Sequence, residues 1–392
     1  MTGVAAGCWV STIDMRRVLW TDRHCINILL TTLFIAAVIG FGFFTFARPA
    51  AEISKSERRK LAQFPTLSFS SILNGKYFVD LETFMLDQFP LRDNFLRVKA
   101  VNQFYVFRQK DNHNIFIKNG TAVAISYPFS DGADELAARK ITALTDAYFQ
   151  KMNVYVSVIP DKAYFLAEQN GYPAVDYAKL QENIRAGCEK AAYIDIFDTL
   201  TADDYYHTDS HWKQECLLPV AEKLLTSMGR SKPASVYAIH ELYPFYGVYC
   251  GQSALPVAPD KLAYLTSDML SHAVVYRAAA NSKGFEDSRP YFPEMIDEND
   301  PYDLFLGGAC SVTILENMQF TGEEKELYLF SDSFGRSIAP HLLEGYSRVY
   351  LIDIRYIRAS LLPELINFKA GSDVLFLYSI ETLDISSSLN TD

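Results

Sequence analysis

The 392-residue chain has little of what most cofactor-dependent or nucleic-acid-binding proteins need. It has six cysteines, and none of them are at the paired spacing of a zinc site. There is no GxGxxG or Walker-type glycine loop to cradle phosphates, no internal repeat and no low-complexity run. The net charge is -11 with no basic cluster to offset it, which argues against a nucleic-acid surface. Histidines such as His113, His240, His272 and His341 lack partner spacing for metal ligation. The expectation is therefore no metal, no cofactor and no nucleic acid. Cys188, Cys216, Cys250 and Cys310 are read as free buried thiols, with disulfides as the alternative. Cys8 and Cys25 lie before or at the border of a long apolar run.

That run, residues 26–47, is about 22 uncharged residues, the length needed to cross a bilayer. It is read as an uncleaved signal-anchor behind a 1–25 segment that carries Arg16, Arg17 and Arg23, with cleavage after Ala47 as the alternative. Cations on both sides (Arg48, Lys55, Arg58, Arg59 and Lys60 follow) leave the orientation open. Residues 48–110 read as a juxtamembrane stem with two amphipathic helices. Residues 111–392 read as one α/β domain with an irregular insertion at about 240–306, either a subdomain or a lid beside the site.

Within that domain, NIFIKNGTAVAIS (114–126) is a hairpin with its turn at Asn119-Gly120. A helix is expected over 134–151 and a buried parallel strand over 154–159. Helices are expected over 177–190, 212–228 and 359–368, and strands over 193–197, 349–354 and 374–379. Alternating strand and helix predicts a parallel sheet with helices on both faces.

The organising stretch is ELYLFSDSFG (326–335), a strand running into a polar knot and then into a helical pattern carried by Ile338, Leu342, Leu343 and Tyr346. In an open α/β sheet such a turn sits at the carboxyl edge of the strands, where ligands bind. A serine there meets the amides of a helix N-terminus. Ser333 is the candidate nucleophile. Serine and aspartate also cap helices, so the triplet alone decides little. A second stretch, YYHTDSHW (205–212), supplies Asp209 to orient and His211 to act as base.

These paired stretches resemble the DHHW proteins, relatives of the alginate O-acetylation proteins within the SGNH hydrolase-like group. SERRKLAQFP (56–65), DQFPLRD (87–93), VIPDKAYF (158–165) and FLGGACS (305–311) are similar to that family as well. The resemblance implies an SGNH-like α/β fold with Asp209, His211 and Ser333 as the triad. Ser331 stands where the family's Gly-Asp-Ser motif has glycine, and Ser210 stands where the family name would put a histidine. Arg355 matches an arginine near the active site of the relatives, and a structural ion pair with Asp353 is its other reading. Trp212 is a candidate sugar platform or a core residue. Gly307 and Gly308 are candidate oxyanion donors beside the Ser333 amide, or merely a turn. By resemblance the activity is O-acetyl transfer to a cell-surface or secreted polysaccharide, outside the cytoplasm, with a polytopic membrane acyltransferase as partner. An esterase, or a non-catalytic carbohydrate-binding scaffold on the same fold, is the alternative.

Overall fold

A computed structural model describes residues 15–54, 56–279 and 284–391. Cys8 and residues 1–14 of the expected leading segment lie outside the described residues. The chain divides into two compact units, one of residues 1–53 and 60–95, the other of residues 54–59 and 96–392.

In the first unit a helix, α1 (Met15–Ala47), contains a stretch, His24–Ala47, of mean hydropathy 2.3. Only 6% of its most apolar window is buried, so it is not the core helix of a soluble fold, and its length suits a bilayer. Phe46 and Phe64 pack on Phe84 of α2 (Lys76–Asp87), and Phe41 stacks on Phe89, which precedes α3 (Arg92–Val101).

The second unit carries the sheet. A two-residue turn at Asn119 and Gly120, both with positive φ, joins β1 (Ile115–Lys118) to β2 (Thr121–Ala124), as the Asn-Gly pair predicts. The main sheet uses β3 (Asn153–Ile159), β4 (Ala192–Tyr193), β7 (Val274–Ala278), β8 (Phe285–Ser288), β9 (Val312–Glu316), β10 (Glu326–Ser331), β11 (Arg348–Ile352) and β12 (Asp373–Ser379). A separate hairpin pairs β5 (Ala238–Phe245) with β6 (Asp260–Thr266). The eight strands lie in the order β8-β7-β9-β11-β10-β12-β3-β4. Pairing is parallel from β11 to β4 and antiparallel from β11 through β9 and β7 to β8.

The two faces follow from side-chain alternation along each strand. Leu327 and Leu329 of β10 join the cluster that holds Leu224 and Leu225 of α6 (Leu218–Ser227) and Ile338 and Leu342 of α7 (Phe334–Leu342). Tyr328 and Phe330 join the opposite cluster, with Ile141 and Leu144 of α4 (Ala133–Tyr148) and Leu180 and Ile184 of α5 (Tyr177–Gly187). Both faces are therefore covered, which explains why the central strands are apolar throughout.

Two expectations are corrected. The 240–306 stretch, expected as irregular, carries most of the β5–β6 hairpin and the strands β7 and β8, which extend the main sheet. Helices 212–228 and 359–368 are shorter than their patterns suggest. The first is α6 and starts only at Leu218, with Pro219 in its opening turn, while the second shrinks to a 3-10 turn and a four-residue helix with Pro363 in its first turn. The four cysteines of the domain form no disulfide.

Strand β10 sits between β11 and β12, so its successor lies on one side and the next strand on the other. Its carboxyl end is the switch point of the parallel sheet, where a crevice opens. Ser331 closes β10, donating from Oγ to the Leu377 carbonyl at 2.6 Å. A Cβ on Gly335 would lie 2.5 Å from the Ser331 Cβ, so the close approach now depends on Gly335. We expect Gly335→Ala to cost about 1–3 kcal/mol of stability by overpacking. The cost should fall when Ser331→Gly is added, a non-additivity that a double-mutant cycle of thermal or denaturant unfolding measures.

Candidate active site

The turn after β10 is held from behind by Asp332, which is buried. Its Oδ1 accepts the Phe334 amide at 3.0 Å, and its Oδ2 accepts the Ser379 amide at 2.9 Å and the Ser379 hydroxyl at 2.6 Å. The end of β10 is thereby pinned to the end of β12, and Ser333 is presented at the first turn of α7, half-buried.

The 205–212 stretch folds back on itself through a Tyr205–Trp212 bridge. Asp260, at the start of β6, accepts the His207 amide at 2.9 Å, the Thr208 amide at 2.8 Å and the Thr208 hydroxyl at 2.6 Å. Gly247 packs so closely that a Cβ there would lie 2.3 Å from the Thr208 carbonyl oxygen. The β5–β6 hairpin thus fixes the loop that carries Asp209 and His211.

The result is a continuous chain of hydrogen bonds. Ser333 Oγ lies 2.7 Å from His211 Nε2, and His211 Nδ1 lies 2.6 Å from Asp209 Oδ1. The other oxygen of Asp209 accepts the Val248 amide at 3.0 Å and pairs with Arg58 at 3.2 Å. Burial alone would push the Asp209 carboxyl up. The adjoining imidazole and its hydrogen bond, the Arg58 guanidinium and the Val248 amide outweigh burial and hold it well below the usual carboxylate range. The imidazole is clamped in plane, stacked on Tyr302 at 3.8 Å between ring centroids and flanked by Phe334 at 4.8 Å.

A cleft of about 190 Å³ opens at Ser333 and His211, bounded by Gly308, Cys310, Arg336 and Arg355 among others. It shares Ala309, Cys310 and Tyr356 with a wider groove of about 730 Å³ along Arg277, Glu286, Arg289 and Phe292. No group of side chains suited to hold a metal occurs among the described residues.

The other candidates sort unevenly. Arg355 lines the cleft while its Nε and one terminal nitrogen donate to Asp353 at 2.9 and 2.7 Å, so the ion pair and the cleft position coexist. Trp212 is no sugar platform, since it is fully buried and its indole N–H donates to Ser337 Oγ at 2.8 Å. Gly308 borders the cleft, but its amide donates to the Phe305 carbonyl at 3.2 Å and is not available as an oxyanion donor. Gly307 is not among the residues that line the cleft, and a Cβ on it would meet Arg277 and Phe292. Both glycines have positive φ, and a Cβ on Gly308 would overlap the Asp303 carboxylate, which pairs with Arg336. Glycine is needed here for turn geometry and close packing. Tyr302, Asp260, Val248 and Arg58, which orient the site, were not singled out by sequence reasoning. No local pattern marks them, because each acts through a contact distant in sequence.

The family model described as DHHW protein matches residues 57–136. The resemblance to DHHW proteins holds. A DHHW family protein from Eubacterium siraeum has a similar structure, with a TM-score of 0.57 at 18% identity over 72% of this chain and 98% of that one. Bacillus cereus PatB1 is similar at a TM-score of 0.54 and 17% identity, over 69% of this chain and 96% of its own. The same PatB1 solved with a sulfonyl adduct gives a TM-score of 0.53 at 17% identity, over 69% and 95% of the two chains. At these identities the likeness is one of fold. No curated protein matches this sequence significantly.

Near Asp209 in this DHHW-like fold lies a buried lysine. Lys162 donates to the carbonyls of Ala122 and of Tyr206, the latter at 2.8 Å, and sits over the Tyr249 ring. Burial pushes its ammonium down to about 7, against the opposing pull of Asp209, Asp260 and Glu381. The unfolded chain, with an ordinary lysine near 10.4, holds more protons than the folded one between those values. This group therefore makes stability rise with pH from about 7 to about 10. We expect the unfolding free energy of the native protein, relative to Lys162→Met, to climb over that interval. Parallel denaturant titrations at stepped pH read the difference.

Proposed function

We propose that this chain is a membrane-anchored acyl-ester enzyme that transfers acetyl groups to a carbohydrate polymer outside the cytoplasm. The reading is carried by one observation, the imidazole of His211 lying between the Ser333 hydroxyl at 2.7 Å and the Asp209 carboxylate at 2.6 Å. That spacing lets His211 take the hydroxyl proton as Ser333 Oγ bonds to the acyl carbon. The tetrahedral oxyanion forms beside the Ser333 amide at the opening of α7. Its collapse breaks the bond to the donor's leaving oxygen, which receives the proton from His211. The acetyl group then rests on Ser333. An acceptor hydroxyl gives its proton to His211, attacks the acyl carbon and releases Ser333 unchanged. Water in place of the acceptor would make the same site an esterase.

The dimensions of the site support the choice of substrates. The small cleft at Ser333 suits a short acyl group, and the adjoining open groove, with Phe292 and Tyr356 among charged side chains, suits a long polar acceptor. The apolar His24–Ala47 stretch supports anchoring in the membrane that an acetyl-donating polytopic acyltransferase would share.

Full-length protein in detergent should hydrolyse p-nitrophenyl acetate and acquire one sulfonyl group at Ser333 from a sulfonyl fluoride, detected by peptide mass spectrometry. Ser333→Ala should abolish labelling and lower turnover by about a thousandfold or more. Folded protein inert to both reagents, or turnover that survives Ser333→Ala, would overturn the proposal.

A further inference from the structure

The juxtamembrane stretch contributes a residue to the site. Residues 54–59 fall in the catalytic unit although the residues on both sides of them belong to the other one. A tight turn, with Ser54 Oγ accepting the Glu57 amide at 3.2 Å, leads into Arg58 in the left-handed region at φ 52°. Arginine rarely adopts that conformation, so tertiary contacts hold it. The turn lies flush on the domain, because a Cβ on Gly251 would sit 1.6 Å from the Ser56 carbonyl oxygen. The Arg58 side chain is only 10% exposed. One terminal nitrogen donates to Asp209 Oδ2 at 3.2 Å and to Asp300 Oδ1 at 2.9 Å, and the other donates to the Tyr246 carbonyl at 2.8 Å. The guanidinium also lies 5.6 Å from the centre of the Phe245 ring.

We propose that Arg58 is a positioning residue for the triad, holding the far oxygen of Asp209 and moderating the negative charge that His211 meets. The inference rests on Ser333, His211 and Asp209 acting as the proposed triad. Asp209 is shared between the Arg58 guanidinium and the His211 ring, and each limits what the other gains. With Arg58 in place, the carboxylate orients the imidazole while its charge is partly neutralised. Without it, the full charge of Asp209 stabilises imidazolium, and His211 holds its proton to higher pH. A base protonated at higher pH moves the acid limb of any rate profile upward. Other groups stay within electrostatic range: Lys162, Cys250, Tyr206, Tyr249 and Tyr302 of Asp209, Glu381 of His211, and Asp300 of Arg58. They are common to the native protein and the variants, so a shift between the two reports Arg58.

The measurement is a pH titration of the His211 ring by NMR, on full-length protein in detergent with ¹³C-labelled histidine and the signal assigned through His211→Gln. Arg58→Gln keeps a hydrogen-bonding side chain and removes the charge, and should raise the His211 midpoint by roughly one unit. Arg58→Lys should reverse most of that rise. If Arg58→Gln does not fold, Arg58→Met takes its place with the same expectation. An unmoved midpoint in the uncharged variant overturns the inference, as does a lysine variant shifted as far as the glutamine one. The titration reads the imidazole whether or not Ser333 transfers an acyl group. Inert protein whose midpoint shifts would defeat the proposed reaction and leave the role of Arg58 standing, and active protein with an unmoved midpoint would do the reverse.

Discussion

One imidazole must reach a hydroxyl on one side and a carboxylate on the other, and the structure around the site serves that constraint. Both contacts are short, 2.7 and 2.6 Å, so a small rotation of the ring would lose one of them. Rotation is blocked by packing on Tyr302 and Phe334. Tyr302 is held in turn, because its hydroxyl donates to Ser337 Oγ, the atom that also accepts the Trp212 indole N–H. Ser337 lies in the same helix that begins after Ser333. His211 and Ser333 are thus referred to one rigid element, which keeps the two side chains in register.

The second demand is to keep charge inside the fold. Asp209 is fully buried, and an unpaired carboxylate there would be untenable. It is satisfied by the imidazole, by the Val248 amide and by Arg58, each from a different part of the chain. The same arrangement recurs one layer further out. Asp260 organises the loop that carries Asp209, and Lys162 is caged by two carbonyls and the Tyr249 ring, with the Tyr249 hydroxyl donating to Glu381. Such connected polar networks rigidify a site when every member is satisfied, and they are costly to disturb. The irregular 240–306 stretch takes its place here. Through Val248, Asp260, Asp300 and Tyr302 it buttresses Asp209, His211 and Arg58, while its strands widen the sheet.

The parts of the fold legible in the sequence are those whose signal is local. The long apolar helix, the Asn-Gly hairpin, and the strands ending at Ile159, Ser331 and Ser379 follow from hydrophobic pattern and turn chemistry. The antiparallel strands β7, β8 and β9 on one side of the sheet were missed. They are four or five residues each, and their identity comes from pairing partners, not from period. The buried Trp212 shows the same limit from the other side. An aromatic beside a candidate base suits a sugar platform or a core equally well until its surroundings are known.

By itself the sequence determined which residues could carry a proton relay, Asp209, His211 and Ser333, since their side-chain chemistry and their place beside a strand-turn-helix pattern are local properties. Tertiary structure alone decided that His211 and Ser333, 122 positions apart in the chain, close to a hydrogen bond. It also decided that the Gly308 amide is spent in a turn, and that an arginine from residues 54–59 reaches the far side of the carboxylate. The reason is physical. Residue type fixes what a group can donate, accept or ionise, but distance, burial and the neighbours that tune its charge arise only when segments remote in the chain pack against one another.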